Sequence, residues 1–508
     1  MTPKKKLAPK HITRKRTSTV ATAQGTVLCW EDDPGDPKSQ PVLVPITVSA
    51  PKESATPLPF KIKGASPTAQ VYDVGSAGFR YYAAASALRR TADFWGGILP
   101  TGTTWQVGRT LNVDLDSGTE LNAFYTRGTG GDTPGLHFFH ESVRGRVFYS
   151  GESPDVVCHE MGHAVLDALR PELFNAQFIE AAAFHESFGD MSALLSALQV
   201  PSFRQILFTE TSGKINRASR LSRLAEQLGA AIRVNHPDAV DPDCLRNANN
   251  SFFYKDPQGL PPNAPASQLS SEPHSFSRVF TGAFLDALAG IFTLQGKSPT
   301  ADALAAASQD LAHILIDGIQ AAPVVPEYFS QVAAHVVQAG EDSPFNGKYR
   351  DVLKSAFIRK GILSLQAATT LGSLKRQTLR AGIVSAQGFT SRTGELPVAS
   401  IPATQFGLKK ATLNVHATAE PKQFGVTASS QIAGPLEPPS AQSAAQIYTE
   451  DIFKRGHVDV GRHAHPESGV AHNLSFKTHL IVEKNGELFM QRLTFDCGFG
   501  TERSQGVS

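Results

Sequence analysis

His159-Glu160-Met161-Gly162-His163 sets two imidazoles four residues apart with a carboxylate between them. On an α-helix, with 3.6 residues per turn, positions i and i+4 project from one face, so both rings can bind a single zinc ion. Glu160, one residue after the first histidine, then reaches the metal's water as general base. The flanking residues specify the helix. Ser153 suits the N-cap, Pro154 the first helical position, and Asp155 puts an acid in the first turn, where the macrodipole favours negative charge. Val156, Val157, Ala164, Val165 and Leu169 make the segment largely apolar, and Pro171 stops it. A helix that only packs has no need of a carboxylate between two histidines in such surroundings, where an unpaired charge is costly.

A catalytic zinc takes three protein ligands and keeps one position open. The long motif that supplies a third histidine is excluded, because Leu166 and Leu169 stand where it requires Gly and His. The next segment, 178–198, reads as a second helix ended by Pro201, and it contains Glu180, His185, Glu186 and Asp190. Glu186 and Asp190 share a face, a spacing at which like charges destabilise an isolated helix. Glu186 on the metal and Asp190 on the outer nitrogen of a ligand histidine would account for both. Glu180 and His185 compete with Glu186 for the ligand position.

With these residues in place, the chain resembles the thermolysin-type zinc metallopeptidases of the glutamate-zincin group. The resemblance rests on Asp155-Val156-Val157-Cys158 followed by the zinc motif, and on Glu186-Ser187-Phe188-Gly189-Asp190 in the next helix. Further pieces follow in the family's order across residues 66–363. The segment 79–95, with Tyr81-Tyr82 and a closing Asp93-Phe94-Trp95, resembles the long helix of the N-terminal lobe. Leu121-Asn122-Ala123-Phe124-Tyr125 resembles the edge strand that pairs with extended substrate. Leu245-Arg246-Asn247 resembles the segment carrying a substrate-binding arginine, and Glu272-Pro273-His274-Ser275 the one carrying the histidine that stabilises the transition state. The segments from Tyr328 to Phe357 resemble its C-terminal helices.

The resemblance implies an endopeptidase with one zinc on His159, His163 and Glu186, Asp190 behind the ligands, and Glu160 and His274 as catalytic groups. Asn122, Ala123 and Arg246 would bind a peptide or protein substrate. Three departures accompany it. Phe174 stands where the family has a tyrosine that shares the oxyanion, Leu269 where it has an aspartate that orients the histidine, and 191–207 contains no acid for the family's calcium sites. Glu272 is the available substitute for the aspartate. Calcium stabilisation is left in doubt, since hard cations need several oxygen ligands. Phe174 and Leu269 also admit two other functions: a metallopeptidase-like binding protein with impaired catalysis, or a zinc hydrolase that does not act on peptides.

The expected architecture is α+β in two lobes, with a mixed β N-terminal lobe and a mainly α-helical C-terminal lobe. Strands are expected between Val71 and Tyr149, and helices over 276–292, 301–318, 326–339 and 349–360 from their apolar periodicity. The stretch 201–243 reads as an insertion. Residues 1–65 read as a basic, unstructured N-terminal segment, and 364–508, rich in Thr, Ser, Ala, Gly and Pro, as a β-rich or partly disordered region of unknown role. Within it, Lys484-Asn485-Gly486 marks a hairpin turn. His457, Asp459, His463, His465 and His472 read as a solvated loop ahead of a second metal site.

Composition constrains the rest. With 508 residues, 41% hydrophobic and 19% charged, the chain has the make-up of a large globular protein. A net charge of +2 gives no drive toward nucleic acid. No apolar run reaches the ~18 residues of a membrane span. Cys29, Cys158, Cys244 and Cys497 are scattered without a CxxC pair, so neither a disulfide framework nor a cysteine zinc site is expected. The basic start has no apolar core behind it and does not read as an ordinary signal peptide. That points to the cytoplasm, whereas the family resemblance points to secretion.

Overall fold

The computed structural model describes residues 25–46, 58–342, 344–365, 396–420, 440–465 and 476–497. It is a mixed α/β protein. The first elements are a hairpin of β1 (Thr26–Cys29) and β2 (Val42–Pro45), then β3 (Phe60–Ile62), the helix α1 (Ala77–Gly96) and the strands β4 (Leu111–Asp114), β5 (Ala123–Thr126), β6 (Gly135–Phe138), β7 (His140–Val143) and β8 (Arg146–Tyr149). Thus 25–46 and 58–62 are structured, which corrects the reading of 1–65 as unstructured. Val27, Cys29, Trp30, Leu58, Phe60 and Ile62 are buried, with Trp30 edge-on to Phe79 of α1. That apolar content contributes enough burial to order the segment. The basic residues 1–16 lie outside the described residues, as does 435–439, which composition marks as a linker.

The helical part follows. The motif lies on α2 (Pro154–Leu169), after which come α3 (Glu172–Asn175), α4 (Ile179–Ala197), α5 (Pro201–Thr211), the short β9 (Arg223–Leu224), α6 (Glu226–Arg233) and β10 (Arg246–Asn247). Next are α7 (Pro273–Thr293), α8 (Ala303–Ala321), α9 (Tyr328–Ala339) and α10 (Arg350–Arg359). Ser153 caps α2 by accepting from the Val156 amide, with Pro154 at the helix start. Glu272 caps α7 by accepting from the Ser275 amide. α7 is long and apolar enough to cross a bilayer by composition, yet 83% of its most apolar window is buried among the other helices.

The C-terminal region holds β11 (Val398–Pro402), β12 (Thr412–His416), the helix α11 (Ala441–Lys454), β13 (Val458–Asp459), β14 (His479–Lys484), β15 (Glu487–Arg492) and β16 (Thr494–Asp496). β11, β12, β15, β14 and β13, in that order, form one five-stranded sheet. The Asn485-Gly486 turn joins β14 to β15, both residues having the positive φ that such a turn requires. The region is β-rich, as expected, with α11 added. His457 Nδ1 donates to the Phe476 carbonyl at 3.1 Å; His472 lies outside the described residues, and among those described the neighbouring histidines form no metal-sized group.

A boundary at 364 does not survive in the contacts. The Gln177 amide donates to His416 O at 2.9 Å and Ser271 Oγ to Asp451 Oδ2 at 2.7 Å. β16 leaves its own sheet entirely. It completes a second five-stranded sheet in the order β16-β5-β6-β4-β3, pairing antiparallel with β5.

The insertion-like stretch is anchored by acids. Asp33 accepts from Ser153 Oγ and from the Gly35 and Gln227 amides, Asp32 from Arg220, and Asp155 from the Ala225 amide. Glu226 meets Arg223 at 3.1 Å through Oε1, while its buried Oε2 has no partner. Burial, then Asp33 and Asp155, outweigh Arg223 and push the Glu226 carboxyl far above its usual range. A carboxyl that keeps its proton when folded and loses it when unfolded destabilises the fold increasingly as pH rises above 4.5, its ordinary value. In the presence of a chelator, Glu226→Gln is therefore expected to raise Tm at pH 8 by on the order of 2 °C, with the difference closing below pH ~4.5. Thermal melts at both pH values check this; a lower Tm for the variant at pH 8 would contradict it.

Candidate metal and catalytic site

The two site helices cross where each carries a glycine. A Cβ on Gly162 of α2 would come within 2.9 Å of the Gly189 Cα, and one on Gly189 within 2.6–2.7 Å of three atoms of the His159 ring. The backbones therefore meet closely enough for His159 to lie across α4. α1 packs against both helices at this crossing, with Trp95 Nε1 donating to Ser192 Oγ at 2.8 Å, and Thr91 Oγ1 lying 2.7 Å from Ser196 Oγ and donating to Cys158 Sγ at 3.1 Å.

Every residue of α4 is buried, so each of its polar groups needs a partner. Glu180 accepts from Tyr254 Oη at 2.5 Å and from the Phe329 amide at 2.6 Å, a structural role that removes it as a metal ligand. His185 stacks on Phe495 with ring centroids 3.9 Å apart and is not in the metal-sized group. Asp190 accepts from Arg246 Nη2 at 2.8 Å and lies 3.0 Å from His159 Nδ1. Arg246, the first electrostatic cause acting against burial, holds the Asp190 carboxyl below its usual range. An ionised Asp190 accepts a hydrogen bond from His159 Nδ1–H, which leaves Nε2 directed at Glu186.

His159, His163 and Glu186 offer ligand atoms that all lie within 4.8 Å of one another. His159 Nε2 is 3.3 Å and His163 Nε2 3.7 Å from the Glu186 carboxylate. Both nitrogens and Glu186 Oε2 are buried, and none has an aligned hydrogen bond. Burial, then His159, hold the His163 imidazole well below its ordinary pKa, hence neutral with its lone pairs available. The donor set, two imidazoles and a carboxylate, could hold a metal ion and is one that suits zinc. Glu160 sits beside it with both carboxylate oxygens buried and unpartnered, and burial pushes its pKa up to about 8. A bound cation would offset that cost. Asp33, Asp155 and Glu226 form a second group of this size.

His274, at the start of α7, reaches the same place. Its Nε2 is 3.2 Å from Glu186 Oε2 and 2.5 Å from the Asp496 carbonyl, and its Nδ1 is 2.6 Å from Glu272 Oε1. The Asp496 carbonyl can only accept, so Nε2 carries a proton, and Nδ1 pairs with the Glu272 carboxyl. Glu272 thus stands where Leu269 lacks a carboxylate. Asn122 and Ala123 lie at the start of β5, with Asn122 Oδ1 accepting from the Ala123 amide at 2.8 Å. Arg246, expected to face substrate, directs its hydrogen bonds to Asp190, so its visible task is positioning. A cavity of about 320 Å³ adjoins the site, with Arg246, Glu272, His274 and Arg278 in its wall. Phe174 is buried edge-on to Tyr125 and Phe495.

The sequence reading missed Cys497. It expected no cysteine at a zinc site, yet Cys497 lies with His159 and Glu160 in one metal-sized group. A lone cysteine at the far end of the chain carries no spacing signal, and only the pairing of β16 with β5 brings it in.

The glycine crossing gives a direct test. Gly189→Ala is expected to displace the His159 ring, lowering affinity for zinc by at least about tenfold and stability by ~1–3 kcal/mol, the scale of an overpacked core. Chelator competition and thermal melts measure the two; unchanged zinc affinity would show that the crossing does not set the ring. Compared with known proteins, the chain matches no family model and no curated protein.

Proposed function

We propose that the protein is a zinc-dependent endopeptidase with the two-lobed plan of the thermolysin-type metallopeptidases, binding one zinc through His159, His163 and Glu186. The observation that carries this reading is the convergence of buried, unpartnered ligand atoms from α2 and α4 beside an unpartnered Glu160. Buried polar atoms left without partners are costly, and a divalent cation satisfies this set together. When bound, zinc supplies Lewis acidity and an attacking water with a pKa near ~7.

The chain's own residues supply the remaining steps. Glu160 accepts a proton from the attacking water and passes it to the leaving amine. His274 donates from Nε2 to the substrate carbonyl oxygen as negative charge develops there, a contribution of ~3–4 kcal/mol for one such donor. Glu272 orients that ring at 2.6 Å, and Asp190 orients His159 at 3.0 Å. β5 receives the peptide as an added strand. With Phe174 lacking a hydroxyl, His274 carries more of the oxyanion's stabilisation.

Two measurements test this. Glu160→Ala is expected to retain about one zinc per chain, as for a site whose base is not a ligand, while kcat/KM for peptide cleavage falls by at least ~10²-fold. Glu186→Ala is expected to lose zinc, and full occupancy in that variant would move the third ligand elsewhere. A parent chain that binds zinc and cleaves no peptide would instead be a binding protein that keeps its metal. His274→Ala is expected to lower kcat far more than it raises KM, because its hydrogen bond strengthens in the transition state. Equal loss of ground-state binding, in steady-state kinetics, would assign His274 to substrate docking.

A further inference from the structure

β5 is the strand along which a substrate would lie, and the chain's own C-terminal strand already lies on it. β16 pairs antiparallel with β5, matching Thr494 to Thr126, Phe495 to Tyr125 and Asp496 to Phe124. The pairing runs on past the strand, since the Cys497 amide donates to Ala123 O at 2.9 Å and Thr126 Oγ1 donates to Leu493 O at 2.7 Å. Main-chain pairing of this kind is how an extended peptide adds to an exposed sheet edge.

Three contacts tie the strand to the candidate site. Phe495 is 2% exposed and fills a slot lined by rings and a guanidinium, stacked on His185 and His163, edge-on to Phe174 and beneath Arg492 at 4.2 Å. The Asp496 carbonyl accepts from His274 Nε2, the donor proposed above for a scissile carbonyl. Cys497 Sγ then lies within 4.8 Å of ligand atoms of His159 and Glu160. His159 Nε2 and both Glu160 oxygens are buried without partners and face this thiol's neighbourhood. The thiol thus lies beside His159, one of the proposed ligands, and beside Glu160, and a thiolate is a donor that zinc accepts readily.

We propose that Cys497 is a fourth zinc ligand that locks β16 into the substrate groove, holding the full chain latent. The proposal rests on the peptidase reading of the same site. Coordination replaces the water with a thiolate, the thiol proton leaving to solvent. It thereby removes the nucleophile and blocks the groove at once. Activation then requires release of one short strand.

Cobalt(II) substituted into the zinc-free full chain tests ligation directly. The expected spectrum has an intense near-ultraviolet sulfur-to-cobalt charge-transfer band, absent from Cys497→Ala at unchanged metal content. Zinc-loaded Cys497→Ala should cleave peptides at least about tenfold faster than the parent, as for an intramolecular competitor at ~mM effective concentration that has been weakened. The double variant with Glu160→Ala should fall back, tying the gain to this site. Phe495→Ala, which leaves the thiol in place, should weaken the band and raise activity in parallel. That variant keeps the test open should Cys497→Ala fail to fold. Identical cobalt spectra for parent and Cys497→Ala would overturn ligation, and equal cleavage rates would overturn latency. A band lost in Cys497→Ala with no cleavage by any variant would uphold ligation and sink the peptidase reading instead.

Discussion

Gly162 and Gly189 let α2 and α4 touch backbone to backbone, and that contact decides where Glu186 stands relative to His159 and His163. The i, i+4 spacing aligns two imidazoles on any helix, but a third ligand from another helix depends on interaxial distance. Side chains larger than hydrogen at the crossing would separate the axes, since a Cβ at either glycine falls inside 3 Å of its neighbour. The requirement extends outward. α1 fixes α4 through Trp95 and Thr91, and the stacked Trp95–Phe188 pair at 5.1 Å closes that face. Much of the surrounding core therefore serves to hold two helices at one distance.

Close approach also concentrates charge, and the fold disposes of it by pairing. Arg246 neutralises Asp190, which in turn orients His159. Arg127 and Tyr125 converge on Asp167 at the far end of α2. Glu272 meets His274. After these pairings, Glu160 and Glu186 remain with buried oxygens lacking partners, next to nitrogens in the same condition. Buried charges are kept in proteins when they are paired or bind metal. Other buried charged atoms also lack partners, Glu226 Oε2 among them, but here unpartnered oxygens and nitrogens come together at ligand spacing, so electrostatics and ligand geometry bear on the same place.

What was legible in the sequence was local. Ser153 and Pro154 announced the start of α2, the apolar periodicity placed the long helices within a few residues, and Asn485-Gly486 fixed a hairpin. Glu186 was recoverable because two acids sharing one helix face conflict unless each has a task. Glu272 was recoverable because it stands two residues before His274 in the sequence, close to the place where Leu269 lacks a carboxylate. The rest depended on contacts between distant segments. Strands of three or four residues such as β3 and β16 carry too little alternation to register, and their partners are set by tertiary pairing. The acids at 32–36 fall in the stretch read as unstructured, and nothing in their sequence points to Ser153, Arg220 and Gln227, which close around them in the fold. Arg246 was read as facing substrate because its sequence neighbourhood carries no hint of the buried Asp190.

Under the proposed peptidase reading, the position of β16 answers a conflict inherent in any groove that binds peptides by strand addition. The edge must present unpaired backbone groups to accept substrate, and the same groups invite pairing with any strand, including those of other copies. β5 is short and wholly buried, and its remaining edge is covered by the chain's own terminus. A cover that only protected the edge could use any strand-forming residues. This one places Phe495 among the site's rings, a carbonyl against His274, and a thiol beside His159 and Glu160. Those three features address the pocket, the oxyanion donor and the metal position separately. Their coincidence on three consecutive residues is what distinguishes an occupant fitted to the chemistry of the groove from a strand that completes a sheet.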